Sequence, residues 1–132
     1  ELLGGTHDLD TNTIKIALIK SGESGTYGAA TTNYSNVTGN SDEASGTNYS
    51  AGGNTLASAA ISTSGTTALL DFADTTWSNA TISAAGAVIY NSSQSNKAIA
   101  VISFGGTVAS TAGDFTVSFP AADASNAIVR IA

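Results

Sequence analysis

The chain has 132 residues, 11% of them charged, with ten acids against four lysines and arginines and a formal net charge of -6. It lacks cysteine, which excludes disulfides, thiolate metal sites and thiol nucleophiles. The acidic balance repels phosphate backbones, and no apolar run approaches the roughly 18 residues of a spanning helix, so neither nucleic acid nor membrane is an expected partner.

Hydrophobic residues make up 42%, the reverse of a disordered composition, and the length fits a single domain over 1–132. Methionine is also absent. Together with Glu1-Leu2-Leu3-Gly4-Gly5, which reads like the last turn of a helix with its glycine stop, this predicts a further upstream segment. Region 1–12 is then the end of that segment followed by a turn, Asp8-Leu9-Asp10-Thr11-Asn12. Short polar side chains there hydrogen-bond their own backbone.

Thr13–Lys20 alternates Ile14, Ile16 and Leu18 with Thr13, Lys15 and Ala17, the period of a half-buried strand. The stretch 21–53 is a long polar loop of Gly, Ser, Thr, Asn and Ala, broken by Tyr27, Tyr34, Val37 and Tyr49. Loops of that length are commonly functional, and short irregular strands are expected around Tyr34 and Tyr49. Thr32-Asn33-Tyr34-Ser35 recurs as Thr47-Asn48-Tyr49-Ser50. In so biased a composition the recurrence reads as coincidence.

Thr55–Ser62 and Thr67–Phe72 form a predicted hairpin around Thr63-Ser64-Gly65-Thr66. Trp77 and Ile82 follow in a segment that does not read as a long helix. Ala87–Tyr90 and Ala98–Phe104 make the clearest hairpin, joined by Asn91–Lys97 and closed by Gly105-Gly106. Asp114–Phe119 alternates until Pro120 ends it, and Ile128, Val129 and Ile131 supply a last strand. About eight short strands predict an all-β antiparallel β-sandwich, Greek-key or jelly-roll-like. The expected core is Ile14, Ile16, Leu18, Trp77, Val88, Tyr90, Ile99, Val101, Phe115, Val117 and Ile128.

Chemistry is sparse. His7 is the only histidine and no nucleophile-elbow motif surrounds a serine, so His7 reads as a turn residue. Asp71, Asp74, Asp114 and Asp123 could pair as glycosidase carboxylates, but they fall where acids usually cap turns. Asp8-x-Asp10-x-Asn12 has the alternation of a cation loop, yet an EF-hand would need Gly and Glu where Thr13 and Ile19 stand. The Asn-x-Ser/Thr triplets at Asn33, Asn36, Asn48, Asn79 and Asn91 barely exceed chance in this composition and carry no glycosylation reading. Tyr34, Tyr49 and Trp77, with Tyr27, could form a stacking platform for sugar rings; the competing reading puts Trp77 in the core and uses the tyrosines to anchor the polar loop. No catalytic, metal or cofactor residue is expected, and Tyr34, Tyr49 and Trp77 remain the candidate interaction residues.

Five ordered motifs carry a resemblance. Gly5-Thr6-His7-Asp8-Leu9-Asp10-Thr11-Asn12-Thr13-Ile14-Lys15-Ile16-Ala17-Leu18-Ile19 resembles the opening of a group of small tailed-bacteriophage structural proteins. Glu43-Ala44-Ser45-Gly46-Thr47-Asn48-Tyr49-Ser50-Ala51-Gly52-Gly53-Asn54-Thr55-Leu56 is similar to that group's middle signature. Asp71-Phe72-Ala73-Asp74-Thr75-Thr76-Trp77, Ala87-Val88-Ile89-Tyr90 and Gly113-Asp114-Phe115-Thr116-Val117 continue it in order. The resemblance implies a non-enzymatic virion protein, foremost a capsid decoration or cement subunit on the capsid surface. Its implied partners are the major capsid protein or another shell protein, and further copies of itself as a homo-oligomer. A tail- or fibre-associated role, or a carbohydrate-binding adhesive module, is the alternative expectation.

Overall fold

A computed structural model describes residues 5–57 and 59–131. The helix end expected at Glu1-Leu2-Leu3-Gly4 lies outside them. The described chain is all-β apart from one short helix: β1 Ile14–Lys20, α1 Ser35–Gly39, β2 Asn54–Thr55, β3 Ala60–Ser64, β4 Thr67–Asp71, β5 Thr75–Asn91, β6 Lys97–Val117 and β7 Val129–Ile131. Two antiparallel sheets result, one of four strands in the order β2-β1-β5-β6 and one of three in the order β3-β4-β7.

Several expected strands merge. The segments around Trp77, Ile82 and Ala87–Tyr90 are one 17-residue strand, β5, and everything from Lys97 to Val117 is one 21-residue strand, β6. Bulges make this possible, because each lets extra residues of one strand face fewer of its partner. Gly105-Gly106 does not close a hairpin. Gly86 faces Ser103 and Ala84 faces Val108, so residues 104–107 loop out of β6 while the ladder continues on both sides. The same slip flips the inward parity of β5, from Ala80, Ile82 and Ala84 to Ala87 and Ile89. A reading by strict alternation breaks the strand at that point.

Thr55–Ser62 also departs from expectation, splitting into β2, which pairs with β1, and β3, which pairs with β4 in the other sheet. Around Tyr34 the chain forms α1 and a single bridge, Asn33 to Lys97, in place of a strand; near Tyr49 it forms only the bridge from Thr47 to Thr81.

The four-stranded sheet is the middle layer and is covered on both faces. One face joins Ile14, Ile16, Leu18, Trp77, Ile82, Ile89 and Phe115 to Leu70 of β4, the central strand of the smaller sheet, and to Phe72 just after it. The other gathers Ala17, Ile19, Val88 and Tyr90 beneath Val37, Tyr27 and Tyr34 of the polar segment 21–53. Strand β1 is therefore buried on both faces, where alternation predicted one. Each fully buried Ile or Leu contributes roughly 1.5–3 kcal/mol of transfer free energy, so this central strand anchors the fold. Of the expected core, Ile99, Val101 and Ile128 are only half-buried: the first two lie on β6, which ends its sheet, and Ile128 just precedes β7, the edge strand of the other sheet.

Candidate functional site

The stretch 21–53, the sequence's candidate for a functional loop, is a strap laid over β1 and β5. Few of its side chains are apolar, so burial alone cannot hold it. Two adjacent carboxylates do.

Asp42 is fully buried, and its carboxylate accepts from five donors. The Ser24 amide donates at 2.9 Å, the Gly25 amide at 2.8 Å and the Tyr27 hydroxyl at 2.6 Å. The Ser24 hydroxyl adds bonds of 3.2 Å, and Lys20 Nζ forms an ion pair at 3.0 Å. The Tyr27 hydroxyl, ahead of the amides and Lys20, holds the carboxyl well below the usual range against the opposing pull of burial. Its backbone is engaged too: the Asp42 amide donates to Val37 O at 3.0 Å, and its carbonyl accepts from Lys20 N at 2.8 Å. One residue thus closes the first half of the strap and caps the open edge of β1.

Glu43 closes the second half. Its Oε2 accepts from the Tyr34 hydroxyl, and its Oε1 from the Tyr49 hydroxyl at 2.9 Å and the Gly52 amide at 2.6 Å. The Tyr49 hydroxyl also accepts from Leu18 N at 2.9 Å, and Tyr90 donates to Gly52 O at 2.8 Å. The Tyr34 and Tyr90 rings stack with centroids 4.5 Å apart. Burial, foremost, pushes the hydroxyls of Tyr34, Tyr49 and Tyr90 up, the last to about 12, with the Glu43 charge adding to each. Gly53 (φ +66°) then turns the chain into β2 so tightly that a Cβ there would lie 1.8 Å from Ile16 O.

The recurring tetrapeptides are two copies of one anchor. In each, the Thr carbonyl accepts from a strand amide: Ala98 N to Thr32 O at 3.0 Å, Thr81 N to Thr47 O at 3.2 Å. In each, the Asn side chain donates to backbone carbonyls: Asn33 to Ser95 O in the β5–β6 turn at 2.8 Å, Asn48 to Asn79 O at 3.0 Å and to Ser78 O at 3.3 Å in β5. In each, the tyrosine takes one oxygen of Glu43.

The candidate interaction residues therefore divide. Tyr34 and Tyr49 meet at Glu43 as strap anchors. Trp77 lies in the core at 4% exposure, its ring 5.8 Å from Tyr49 and 6.1 Å from Phe115. That burial leaves no open Trp77 face for a sugar. Sequence reasoning passed over Asp42 and Glu43. They are the only adjacent acids in the chain, within a run whose tyrosine hydroxyls need partners once buried, and that was the available signal.

Of the remaining acids, Asp8 and Asp123 close local turns, Asp74 and Asp114 tie segments far apart in the chain, and Asp71 ends β4 opposite Ala60. Asp8 accepts from the Asp10 and Thr11 amides and the Thr11 hydroxyl, which lowers its pKa, while Asn12 Oδ1 accepts from the Asp8 amide and from Asn91. The alternating oxygens of that loop thus form an Asx turn. His7 Nδ1 meets the buried Asn91 amide at 3.1 Å and ties the turn to the end of β5. Asp74 accepts from Phe119 N, Asp114 from Asn79 N, and Asp123 from the Ser125 and Asn126 amides. Among the described residues no three His, Cys, Asp or Glu group as a metal site, and no helix is long and apolar enough to cross a membrane. No family model, curated protein or solved structure matches this chain.

Proposed function

We propose that this chain is a non-enzymatic structural subunit of a tailed-phage particle, foremost a decoration or cement protein seated on the major capsid protein and on copies of itself. The observation that carries this reading is where the five motifs sit. The first is the Asx turn, the His7–Asn91 tie and β1; the second is Glu43, the second anchor and Gly53. The third and fifth are the long-range Asp74–Phe119 and Asp114–Asn79 ties with buried Trp77, Phe115 and Val117, and the fourth is the doubly covered stretch of β5. Every motif is spent on holding shape. A protein whose role is its outline and surface has that signature, whereas an enzyme's motifs converge on a reactive cleft.

Charge supports the same reading. A surface with few ionised groups gives up little hydration when covered, which suits docking by many modest contacts. Mass spectrometry of purified particles with a reconstruction of the shell tests it. Many copies per particle, with density on the capsid lattice, is the expected result. Absence from particles, or turnover of a substrate by the purified chain, would overturn it, and density confined to the tail would replace the capsid location by the tail one.

A further inference from the structure

Sheet edges in proteins that stay apart are blocked, because an open row of backbone donors and acceptors recruits another strand. Three of the four edges here are blocked. Beyond β1, residues 42–44 and 54–56 bond to it directly. Beyond β6, Thr32 and Asn33 cover the start, and the loop-out at 104–107 and the shift between Ser110 and Gly113 break the rest. The β7 edge is three residues long and centred on Arg130.

The β3 edge is different. It ends its sheet, its register with β4 is unbroken over five pairs, and it holds neither charge nor proline. Ile61 stands 56% exposed on it, the most exposed of the large apolar side chains among the described residues, at the rim of an apolar trough with Ala68, Leu70, Val129 and Ile131.

We propose that β3 is the edge by which two copies of this chain join, antiparallel about Ser62, into one six-stranded sheet. Hairpin geometry sets that centre. Gly65 (φ +59°) starts a two-residue turn, so Ser64–Thr67 closes the hairpin with hydrogen bonds, and by alternation so do Ser62–Leu69 and Ala60–Asp71. The amides and carbonyls of Ile61 and Thr63 are left pointing outward. Pairing about Ser62 sets Ile61 opposite the second copy's Thr63, and the reverse, which satisfies all four groups twice over by symmetry.

Charge selects a second copy as the occupant. A chain of net charge -6 repels itself except where it carries no charge, and residues 44–70 hold no ionised side chain at all. Five-residue edges bury far less than the roughly 1,200 Å² of a stable interface, so the pair is weak in dilute solution and populated at the local concentration of an assembled shell. The inference rests on the self-association within the proposed function and names its edge.

The cysteine-free chain makes the test direct. In this register the two Ser62 positions form a non-hydrogen-bonded pair with Cα atoms about 4.5 Å apart, within disulfide reach, whereas the two Ser64 positions are about 13 Å apart. Mild oxidation should therefore convert S62C to covalent dimer about tenfold faster than S64C, because only the first geometry can close the bond. Thr63→Pro in the S62C chain removes an outward amide that β4 does not use, and should drop the rate to that of S64C with an unchanged circular dichroism spectrum. If S62C is no faster than S64C, the edge is wrong whether or not Thr63→Pro folds. Particle mass spectrometry decides the coat reading separately, so a chain abundant in particles with a silent S62C loses this edge alone.

Discussion

On one face of the four-stranded sheet lies the strap, 21–53; toward the other lies the three-stranded sheet. The strap holds by polar hubs, with Asp42 and Glu43 gathering amides, hydroxyls and one lysine from both of its halves. The small sheet holds by Leu70 and Phe72, aided by half-buried Val129, and leaves Ile61 and Ile131 in the open. Low apolar content is thus no bar to an ordered covering, provided a few buried carboxylates find enough donors. The two coverings should then fail separately, and that separation can be tested.

Asp42→Ala should have the largest effect, since it leaves the Ser24 and Gly25 amides, two hydroxyls and Lys20 without their shared acceptor. The urea midpoint is expected to fall further than for any other substitution named here. Hydrogen exchange should show protection lost over 21–53 while β3 and β4 keep theirs. Simultaneous loss in both regions would mean that the strap is no separate layer. Leu70→Ala makes the opposite cut. It removes a buried side chain on the small sheet, should cost about 2–5 kcal/mol, and should leave strap exchange unchanged. Tyr49→Phe is milder, about 1–3 kcal/mol, because it strips one hydroxyl from between Leu18 N and Glu43 and keeps the ring on Trp77.

Acid and base should discriminate the two coverings as well. The folded pKa of Asp42 lies below its ordinary 3.8, so its contribution is full above about pH 4 and drains away as pH falls through that value and beyond. Tyr34, Tyr49 and Tyr90 are raised above 10.0, so their contribution is full below pH 10 and is lost as pH climbs, for Tyr90 up to about 12. Both windows belong to the strap and the strand beneath it. At pH 11 strap amides should exchange faster relative to a neutral-pH reference than those of β3 and β4, whose run from Ala60 to Leu70 contains no titratable side chain. Equal acceleration in both regions would remove the tyrosine cluster as the cause.

What the sequence reveals follows the same divide. Alternation is legible along Ile14, Ile16 and Leu18 of β1 and around the clean turn of the Gly65 hairpin, though it misses the second buried face of β1. It fails in β5 and β6, because bulges at Gly86 and after Ser103 shift the period; Gly86, Gly105 and Gly106 mark them, but glycine is equally a turn signal, which is how Gly105-Gly106 reads from sequence. The strap is illegible to periodicity altogether, since its order comes from convergence of distant donors on Asp42 and Glu43. Residues 15 to 18 positions away supply four of the Asp42 contacts, a separation no local pattern encodes. From sequence the tyrosines fit both a sugar platform and strap anchors, because composition places aromatic rings without saying where their hydroxyls go.

The two tetrapeptides make the finest test. Their Thr carbonyls, Asn amides and Tyr hydroxyls perform the same three tasks, so the lost bonds should cost the same in Asn33→Ala and Asn48→Ala, about 0.5–1 kcal/mol each. Asn48→Ala should be higher by a further ~1–2 kcal/mol because Asn48 stands at φ +59°, where alanine is strained. Chemical denaturation with a common m-value can resolve such a difference. The comparison is demanding because the contacts differ in kind: Asn48 donates to two carbonyls, whereas Asn33 donates to one and accepts from the Ser35 amide at 2.9 Å, so equal bond costs would mean that one donated bond per anchor carries the energy. A gap exceeding that backbone strain by about 1 kcal/mol, a typical whole bond, would show that the strap hangs from one copy. The recurrence of Thr-Asn-Tyr-Ser would then be an accident of composition after all.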